Sequence, residues 1–253
     1  MDVQLRENER IDILNKSGLR IIQNTSAPCF SVDAVLLADF VNVKSGQSII
    51  DLGTGTGIIP LLLAAKGGRP MAAPTITIAG LEIMPEMAEL ARRNVALNGL
   101  DDEICIVEGD LKQAETYFKK SNADIITCNP PYYRKESGKI SAKPLFAAAR
   151  TEIYCDLADV MNAAAVLLKV GGSLNLIHRA QRLSEAITLA REYGLMPERL
   201  QMIHPYLHAE ANLFLMEARK GGQGELKILP ALAVYEPGGE YTAEMKRVYA
   251  NYK

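Results

Sequence analysis

The feature that most constrains this fold is a stretch with three glycines at alternate positions, Asp-Leu-Gly-Thr-Gly-Thr-Gly-Ile-Ile-Pro at residues 51–60. It follows residues 48–50, which predict a buried strand, and it precedes Ile58–Lys66, which predicts a helix. Glycines in such a turn permit backbone conformations, and a close approach by a ligand, that a Cβ atom would block. The sequence therefore predicts an α/β fold in which a flat part of a ligand lies over this turn.

Two phosphate-binding patterns do not fit the spacing of these glycines. A dinucleotide fingerprint requires Gly-x-Gly-x-x-Gly, but counted from Gly53 the last position is Ile58, and counted from Gly55 it is Pro60. A P-loop requires a final Gly-Lys-Ser/Thr, which this stretch lacks. Pyrophosphate is therefore disfavoured, although the turn taken alone also fits a plain strand-to-helix connection or another nucleotide site.

The pattern that remains, Asp/Glu-x-Gly-x-Gly-x-Gly, resembles the first motif of the Rossmann-like methyltransferases that use S-adenosylmethionine. This cofactor has no phosphate and carries a sulfonium, an ammonium and two ribose hydroxyls. Carboxylates suit these groups better than the helix N–H groups that hold an anion. The resemblance implies that Asp51, Gly53, Gly55 and Gly57 contact the cofactor.

Two further carboxylates follow predicted strands. Glu82 ends the β-branched strand of residues 75–81, and an acid at this point of an α/β nucleotide site can accept hydrogen bonds from both ribose hydroxyls. Asp110 follows the strand of residues 104–107 and is suited to accept from the adenine amine of the cofactor. The alternatives are an exposed strand-end charge for Glu82 and a helix N-cap for Asp110.

A polar pair, Ser31 and Asp33, precedes a helix whose apolar side chains include Val35, Leu36 and Leu37. Either polar residue can cap this helix. Because the helix leads into the strand before the glycine turn, the pair can instead contact the cofactor.

The tetrad Asn129-Pro130-Pro131-Tyr132 follows the predicted buried strand of residues 123–128. Two consecutive prolines hold the backbone extended and lack N–H donors, so the Pro130 carbonyl and the Asn129 amide oxygen can face outward as two acceptors. A planar exocyclic NH₂ group supplies two donors in this geometry, and its ring can stack on Tyr132. We therefore expect Asn129, Pro130 and Tyr132 to be catalytic, with Asn129 also beside the cofactor. The alternative is a strand-end turn with an Asx motif.

The tetrad suits the methylation of an aromatic amine, which is a poor nucleophile because its lone pair is delocalised into the ring. Two acceptors help to localise that lone pair, and they stabilise the positive charge that grows on nitrogen during an in-line transfer. No histidine or lysine base is required. The substitution Tyr132→Phe is expected to be tolerated, because the face of the ring remains.

Together, the glycine turn, Glu82 and the tetrad resemble the amino-group methyltransferases of the N6-adenine type. Further stretches, residues 19–23, 30–37, 149–150 with 152–155, and 221–222 with 226–230, resemble the Gram-positive members of the valine-tRNA adenine-37 N6-methyltransferase family. The resemblance covers almost the whole chain. Thr54 stands where that family usually has cysteine or serine, and Thr151 stands where it usually has histidine.

The resemblance implies an α/β, Rossmann-like class I methyltransferase with a seven-stranded, mostly parallel sheet, an antiparallel edge and a small N-terminal cap. We expect residues 1–46 to form the cap, with a short polar helix and a strand, and residues 47–219 to form the S-adenosylmethionine-dependent methyltransferase domain. Residues 220–253 are expected to be a tail that packs on it. A turn at Gly171-Gly172 is expected between a helix over 156–169 and a strand over 173–178.

Composition excludes several classes of protein. With 253 residues, 48% apolar and 23% charged residues and a net charge of −2, the chain is neither disordered nor collagen-like, and no apolar run reaches the length of a membrane span. Its first residues lack the apolar core of a secretory signal, so the cytoplasm is expected. The four cysteines, Cys29, Cys105, Cys128 and Cys155, and the three histidines are too scattered to predict a metal site.

A charge so close to neutral does not itself indicate nucleic acid, so local basic patches must carry that argument. Residues 134–150 hold five basic side chains against the single acid Glu136, namely Arg134, Lys135, Lys139, Lys143 and Arg150. Arg179 and Arg182, further along the chain, are expected to bind RNA phosphates together with this loop, and Arg191 follows on the same predicted helix. A solvated loop is the alternative, but we expect tRNA as the partner.

The resemblance implies N6-methylation of an adenine in tRNA, at position 37 of a valine tRNA. An alternative enzyme activity is methylation of a protein glutamine amide, whose NH₂ group fits the same two acceptors. A third interpretation is a catalytically silent RNA-binding module that retains the cofactor fold.

Overall fold

The computed structural model describes residues 4–14, 18–25, 31–66, 76–132, 152 and 154–250. Within these ranges the strands are β1 (Glu9–Ile13), β2 (Arg20–Asn24), β3 (Gln47–Leu52), β4 (Ile76–Glu82), β5 (Ile104–Glu108), β6 (Ala123–Cys128), β7 (Leu168–Arg179), β8 (Leu195–Tyr206), β9 (Leu213–Lys220), β10 (Lys227–Ile228) and β11 (Leu232–Tyr235). The helices are α1 (Val32–Phe40), α2 (Ile58–Lys66), α3 (Pro85–Leu97), α4 (Ala114–Tyr117), α5 (Leu157–Leu167), α6 (Leu183–Glu192) and α7 (Ala243–Ala250).

The central sheet has the order β10-β8-β9-β7-β6-β3-β4-β5, with β11 also paired to β8. Strands β3 to β7 are parallel, and β9 is antiparallel to both β7 and β8. The predicted parallel sheet with an antiparallel edge is confirmed. Two short strands from the C-terminal segment, β10 and β11, extend the seven expected strands because each pairs with β8.

Two apolar layers cover the faces of this sheet. Alternate side chains of a strand point to opposite faces, and Ile49, Ile125 and Ile177 accordingly join a core with α1, α2, α3 and α7. Their neighbours Ile50 and Ile126 join a second core with α5 and α6. The chain thus crosses the sheet on both faces, and the direction of strand addition reverses between β3 and β6, where α/β folds place their ligands.

The start of β7 departs from the expected helix, turn and strand. Helix α5 ends at Leu167 and the strand begins at once with Leu168, so Gly171 and Gly172 lie inside β7. A Cβ atom on Gly172 would lie 3.0 Å from the carbonyl oxygens of Ala123 and Asp124 on β6. The glycine pair therefore permits close pairing of two strands at a register shift, and it does not mark the end of the helix.

The short polar helix expected near the N-terminus is wrong for the described residues. Strands β1 and β2 form an antiparallel hairpin that packs on α3. The buried Asn94 of α3 accepts a hydrogen bond at Oδ1 from the Ile22 N–H at 2.6 Å, and its Nδ2 donates to the Thr56 carbonyl at 2.9 Å. One amide side chain therefore connects the hairpin to the glycine turn.

Candidate active site

A cavity of about 450 Å³ opens where β3, β4 and β6 reach their carboxyl ends, a size typical of ligand pockets. Nine of the residues expected at the site border it, namely Ser31, Asp33, Gly53, Gly55, Glu82, Asp110, Asn129, Pro130 and Tyr132. The cavity lining does not include Asp51 or Gly57. The fold therefore brings the glycine turn and the tetrad, which are about 70 residues apart, to the walls of one pocket.

The glycine turn has the conformation that its sequence predicts. Gly53, Gly55 and Gly57 have φ angles of 70°, 56° and 78°, in the left-handed region that side chains with a Cβ atom disfavour. The Gly53 N–H donates to the Leu81 carbonyl at 2.9 Å, which ties the turn to the end of β4. The first two glycines face the cavity, whereas a Cβ atom on Gly57 would lie 3.3 Å from the Cβ atom of Ala91 on α3.

Glu82 at the end of β4 is buried but borders the cavity. Its Oε2 accepts from the Gly55 N–H at 2.8 Å, and its Oε1 accepts from the Met84 N–H at 3.0 Å. Burial raises the pKa of this carboxyl, and the backbone donors oppose that shift. Each carboxylate oxygen has a second lone pair, so the fixed carboxylate can still accept one ligand hydroxyl per oxygen.

Asp51 lies behind the cavity wall, completely buried in β3. The Thr127 hydroxyl donates to its Oδ1 at 2.6 Å, because the pairing of β3 with β6 places these two residues side by side. Its Oδ2 has no hydrogen-bond partner among the described residues. Burial raises the pKa of Asp51 to about 7, although the Thr127 hydrogen bond lowers it. A cofactor contact by Asp51 or Gly57 stays a prediction.

Asp110 caps the 3₁₀ turn at Leu111–Gln113, where its Oδ1 accepts from the Lys112 N–H at 2.9 Å. The Lys112 ammonium lies 3.7 Å from Oδ2. The alternative interpretation as an N-cap is therefore confirmed. Because Asp110 also borders the cavity, a contact with the adenine amine of the cofactor stays a prediction.

Of the polar pair, Ser31 immediately precedes α1 and Asp33 lies in its first turn. Ser31 occupies the N-cap position, but its side chain makes no capping hydrogen bond. The Asp33 carboxylate instead accepts at Oδ2 from the Tyr132 hydroxyl at 2.7 Å. Both residues border the cavity, and Asp33 is joined to the tetrad by this hydrogen bond.

Within the tetrad, the Tyr132 hydroxyl lies between two side-chain oxygens. It is 2.7 Å from Asp33 Oδ2 and 2.9 Å from Asn129 Oδ1. Burial and the nearby Asp33 raise the pKa of Tyr132, so the phenol remains protonated. The hydroxyl therefore has specific partners, which the sequence pattern did not predict.

His178 packs behind the cavity against Tyr132, although no role for it was predicted from the sequence. It is fully buried at the end of β7, and its ring centroid lies 5.3 Å from that of Tyr132. Its Nδ1 accepts from the Arg179 N–H at 2.8 Å, and burial lowers its pKa to about 3, so the imidazole is neutral. The signal that could have identified it was its place at the end of the predicted strand over 173–178.

Two thiols border the cavity, Cys128 and Cys155. Burial raises the pKa of Cys128 well above its usual range and that of Cys155 to about 12, so both remain protonated. Cys105 is exposed, all three are free thiols, and Cys29 lies outside the described residues. Among the residues that the structure describes, no group of three potential metal ligands occurs.

The expected basic patch is only partly described. Residues 134–150, which carry five of these basic side chains, lie outside the described ranges. Arg182 is not free to hold a phosphate, because its guanidinium pairs with Glu152 at 2.9 Å and with Glu185 at 2.5 Å. Arg191 is in the last turn of α6, just before β8 begins. Strand β8 runs in the same direction as β7, because both are antiparallel to β9, so Arg191 lies at the end of the strands opposite the cavity.

Over the described parts of the chain, no helix combines the length and apolarity needed to cross a membrane.

The sheet order and the glycine turn at its switch point define a Rossmann-like class I methyltransferase. A family model described as a methyltransferase domain matches residues 43–202. A tRNA1(Val) (adenine(37)-N6)-methyltransferase of Porphyromonas gingivalis strain W83 is 30% identical over 240 residues, which cover 89% of this chain and 91% of that protein. One from Phocaeicola vulgatus is 30% identical over 223 residues, covering 87% and 89%.

Among solved structures, a predicted O-methyltransferase from Agrobacterium tumefaciens, protein Atu636, has a TM-score of 0.69 at 24% identity. The match covers 87% of this chain and 96% of that one, and it supports the fold. The chain therefore belongs to the methyltransferase domain family, and within it to the family of the tRNA1(Val) (adenine(37)-N6)-methyltransferases.

Proposed function

We propose that this protein transfers a methyl group from S-adenosylmethionine to the exocyclic N6 amine of adenine in tRNA, at position 37 of a valine tRNA. The observation that carries the proposal is that Asn129 and Pro130 border the same cavity as the glycine turn and Glu82. The names of the relatives from Porphyromonas gingivalis and Phocaeicola vulgatus support the choice of nucleotide. A tRNA substrate also assigns the reaction to the cytoplasm.

The donors and acceptors of the cavity fit S-adenosylmethionine. The fixed carboxylate of Glu82 accepts from the ribose hydroxyls, and Gly53 and Gly55 leave room for the cofactor to lie on the backbone. The Oδ2 of Asp51, which has no hydrogen-bond partner among the described residues, lies behind the turn, and the cationic end of the cofactor would favour the ionised form of this carboxyl. Asp110 accepts from the adenine amine, and Ser31 and Asp33 complete the wall next to the tetrad. When bound, the cofactor supplies the electrophilic methyl group.

The chain's own residues bind and orient the target amine. The Asn129 amide oxygen and the Pro130 carbonyl accept its two N–H groups, and they stabilise the positive charge that grows on nitrogen. No base removes a proton beforehand. His178 is poorly suited to that role, because its pKa of about 3 makes it a weak base at neutral pH. Tyr132 is the wall against which the extruded adenine is held.

We also propose that residues 47–219 form the methyltransferase domain, with the cap of residues 1–46 and the tail of residues 220–253 packed on it. Two observations support this division. Helix α1 shares the core that α2 and α3 form on one face of the sheet. Strands β10 and β11 of the tail pair with β8.

The proposal is tested by incubating the purified protein with S-adenosylmethionine and unmodified valine tRNA, followed by nucleoside analysis. The expected product is N6-methyladenosine at position 37, and a tRNA with guanine at that position is the control that should stay unmodified. A protein that methylates a glutamine amide and no tRNA would support the alternative enzyme. Binding of tRNA without methylation would support the silent module.

A further inference from the structure

The Tyr132 hydroxyl contacts two oxygens but has one proton. Asp33 Oδ2 lies 2.7 Å from it and Asn129 Oδ1 lies 2.9 Å from it, and both atoms are acceptors only. One contact can therefore be a hydrogen bond donated by the tyrosine. The other would place two oxygens at hydrogen-bond distance without a proton between them.

The proton belongs on the bond to Asp33. Hydrogen bonds to a carboxylate are shorter and stronger than those to a neutral amide, and the Asp33 contact is the shorter of the two. The Asn129 side chain then satisfies the tyrosine oxygen by a half-turn of its amide, which exchanges the positions of oxygen and nitrogen. In that orientation, Asn129 Nδ2 donates to the tyrosine and Oδ1 turns to the other side.

The position of the Tyr132 hydroxyl is itself fixed from behind the ring. The Tyr132 ring packs at 52° against the ring of His178, which is fully buried. His178 in turn stacks on Phe214, with a centroid distance of 6.4 Å, and accepts a hydrogen bond from the Arg179 N–H. The side chain therefore cannot swing away from Asp33 without disrupting a buried contact. When the Tyr132 hydroxyl donates to Asp33, its oxygen can only accept from Asn129, so Asn129 must present its amide nitrogen to the tyrosine.

We propose that Asp33 is a positioning residue that acts through Tyr132, because it takes the tyrosine proton and thereby holds the Asn129 amide with its oxygen toward the target amine. This inference rests on the proposed function and assigns a role to the hydroxyl as well as to the ring. It reverses the expectation from sequence that Tyr132→Phe is tolerated. Without the hydroxyl, Asn129 loses the partner that distinguishes its two orientations.

The test measures single-turnover methylation of unmodified valine tRNA at saturating cofactor and tRNA, with the affinity for S-adenosylhomocysteine measured separately by calorimetry. Tyr132→Phe should slow methylation about tenfold, the loss expected for one hydrogen bond. Asp33→Ala should slow it by a similar factor. Asp33→Asn should restore a rate within about threefold of the parent, because the asparagine oxygen still accepts from the tyrosine. Tyr193→Phe, which removes a hydroxyl from a ring packed in the other core, is the matched control.

The double variant Asp33→Ala/Tyr132→Phe separates a connected role from two independent ones. If the residues act in one chain, the double variant should be no slower than the slower single variant. A loss equal to the product of the two single losses would overturn the proposal, as would a parental rate for Tyr132→Phe. In those outcomes the parent still methylates tRNA, and the proposed function stands. A parent that methylates no tRNA would overturn the proposed function and this inference together.

Discussion

At the scale of single residues, two buried carboxylates at neighbouring strand ends have different surroundings. Glu82 receives one backbone N–H on each oxygen and borders the cavity. Asp51 receives one hydroxyl and lies behind the wall, and its other oxygen has no partner within the described ranges. Glu82 is therefore a preorganised acceptor for a ligand, whereas Asp51 is a carboxyl whose charge the fold accommodates poorly.

The tetrad gives the sharpest prediction for catalysis. In the proposed mechanism, Asn129→Ala removes one of two acceptors directed at charge that develops in the transition state. Turnover should therefore fall by roughly 10²–10³, as when one donor of an oxyanion hole is removed. The affinity for S-adenosylhomocysteine should barely change. The measurement is the single-turnover rate on unmodified tRNA, and a rate equal to that of the parent would reduce the tetrad to a strand-end turn.

Asp51 gives a prediction for the dependence of stability on pH. Its pKa is raised from 3.8 to about 7 in the folded protein, so the folded state retains a proton that the unfolded chain releases. Its contribution to stability is therefore full below about pH 4 and is lost as the pH rises to about 7. Asp51→Asn, which is neutral at every pH, should stabilise the protein relative to the parent at pH 8, on the order of a few kcal/mol.

The comparison is made by urea unfolding of parent and variant at pH 4.5 and pH 8. The difference between the two proteins must be used, because His178 acts in the opposite direction. Its pKa is lowered from 6.5 to about 3, so its contribution is present above pH 6.5 and is lost as the pH falls. An equal difference in the free energy of unfolding at both pH values would contradict the prediction for Asp51.

At the scale of secondary-structure elements, the site depends on contacts that hold the glycine turn from several sides. The end of β4 accepts from the turn through the Leu81 carbonyl, and α3 approaches it closely at Gly57. The N-terminal hairpin is attached to the same region through Asn94 and through an ion pair in which Arg93 contacts Glu9 at 2.6 Å. The hairpin therefore supports the turn through α3.

Removing the Asn94 amide should destabilise the protein strongly. Asn94→Ala leaves the Ile22 N–H and the Thr56 carbonyl without their partner in a buried place, which should cost about 2–3 kcal/mol. Asn122→Ala, at an exposed asparagine, is the matched control and should change the free energy of unfolding by less than about 0.5 kcal/mol. Urea denaturation followed by circular dichroism measures both. Equal stabilities would show that the hairpin is not attached through Asn94.

At the scale of the whole molecule, the basic side chains that could bind tRNA must be distinguished from those that stabilise the fold through ion pairs. The Arg182 side chain is 11% exposed and lies between Glu152 and Glu185. Arg191 is exposed on the same segment but lies away from the cavity. A phosphate contact by either of them is therefore not expected, and the basic residues of 134–150 stay the predicted contact.

Salt dependence can test this assignment. Arg182→Gln should lower the free energy of unfolding by about 3 kcal/mol, because it leaves the largely buried carboxylate of Glu152 without its cationic partner. The slope of log K against log[salt] for tRNA should not change, whereas loss of a phosphate contact would reduce it by about one. Arg191→Gln, the exposed control, should alter neither quantity. Filter binding at several salt concentrations provides the slope, and a smaller slope for Arg182→Gln would identify it as a phosphate contact.

The sequence by itself determined the elements whose signals are local. The bounds of α2 and β6 agree with those expected from apolar runs and turns, and the alternate glycines require a backbone that their φ angles confirm. The alternation of predicted strands and helices along the chain also predicted which strand ends would meet, because parallel strands place their carboxyl ends at one edge of the sheet. Glu82 and the tetrad accordingly border one cavity with the glycine turn.

Only the tertiary structure decided which polar atoms face the cavity and which face each other. Asp51 pairs with Thr127 through the register of two strands, and Asp33 reaches Tyr132, which is 99 residues further along the chain. His178 packs against Tyr132 because β7 lies beside β6. Side-chain direction and hydrogen-bond partners depend on packing between distant segments, and this information is absent from any local pattern of residues.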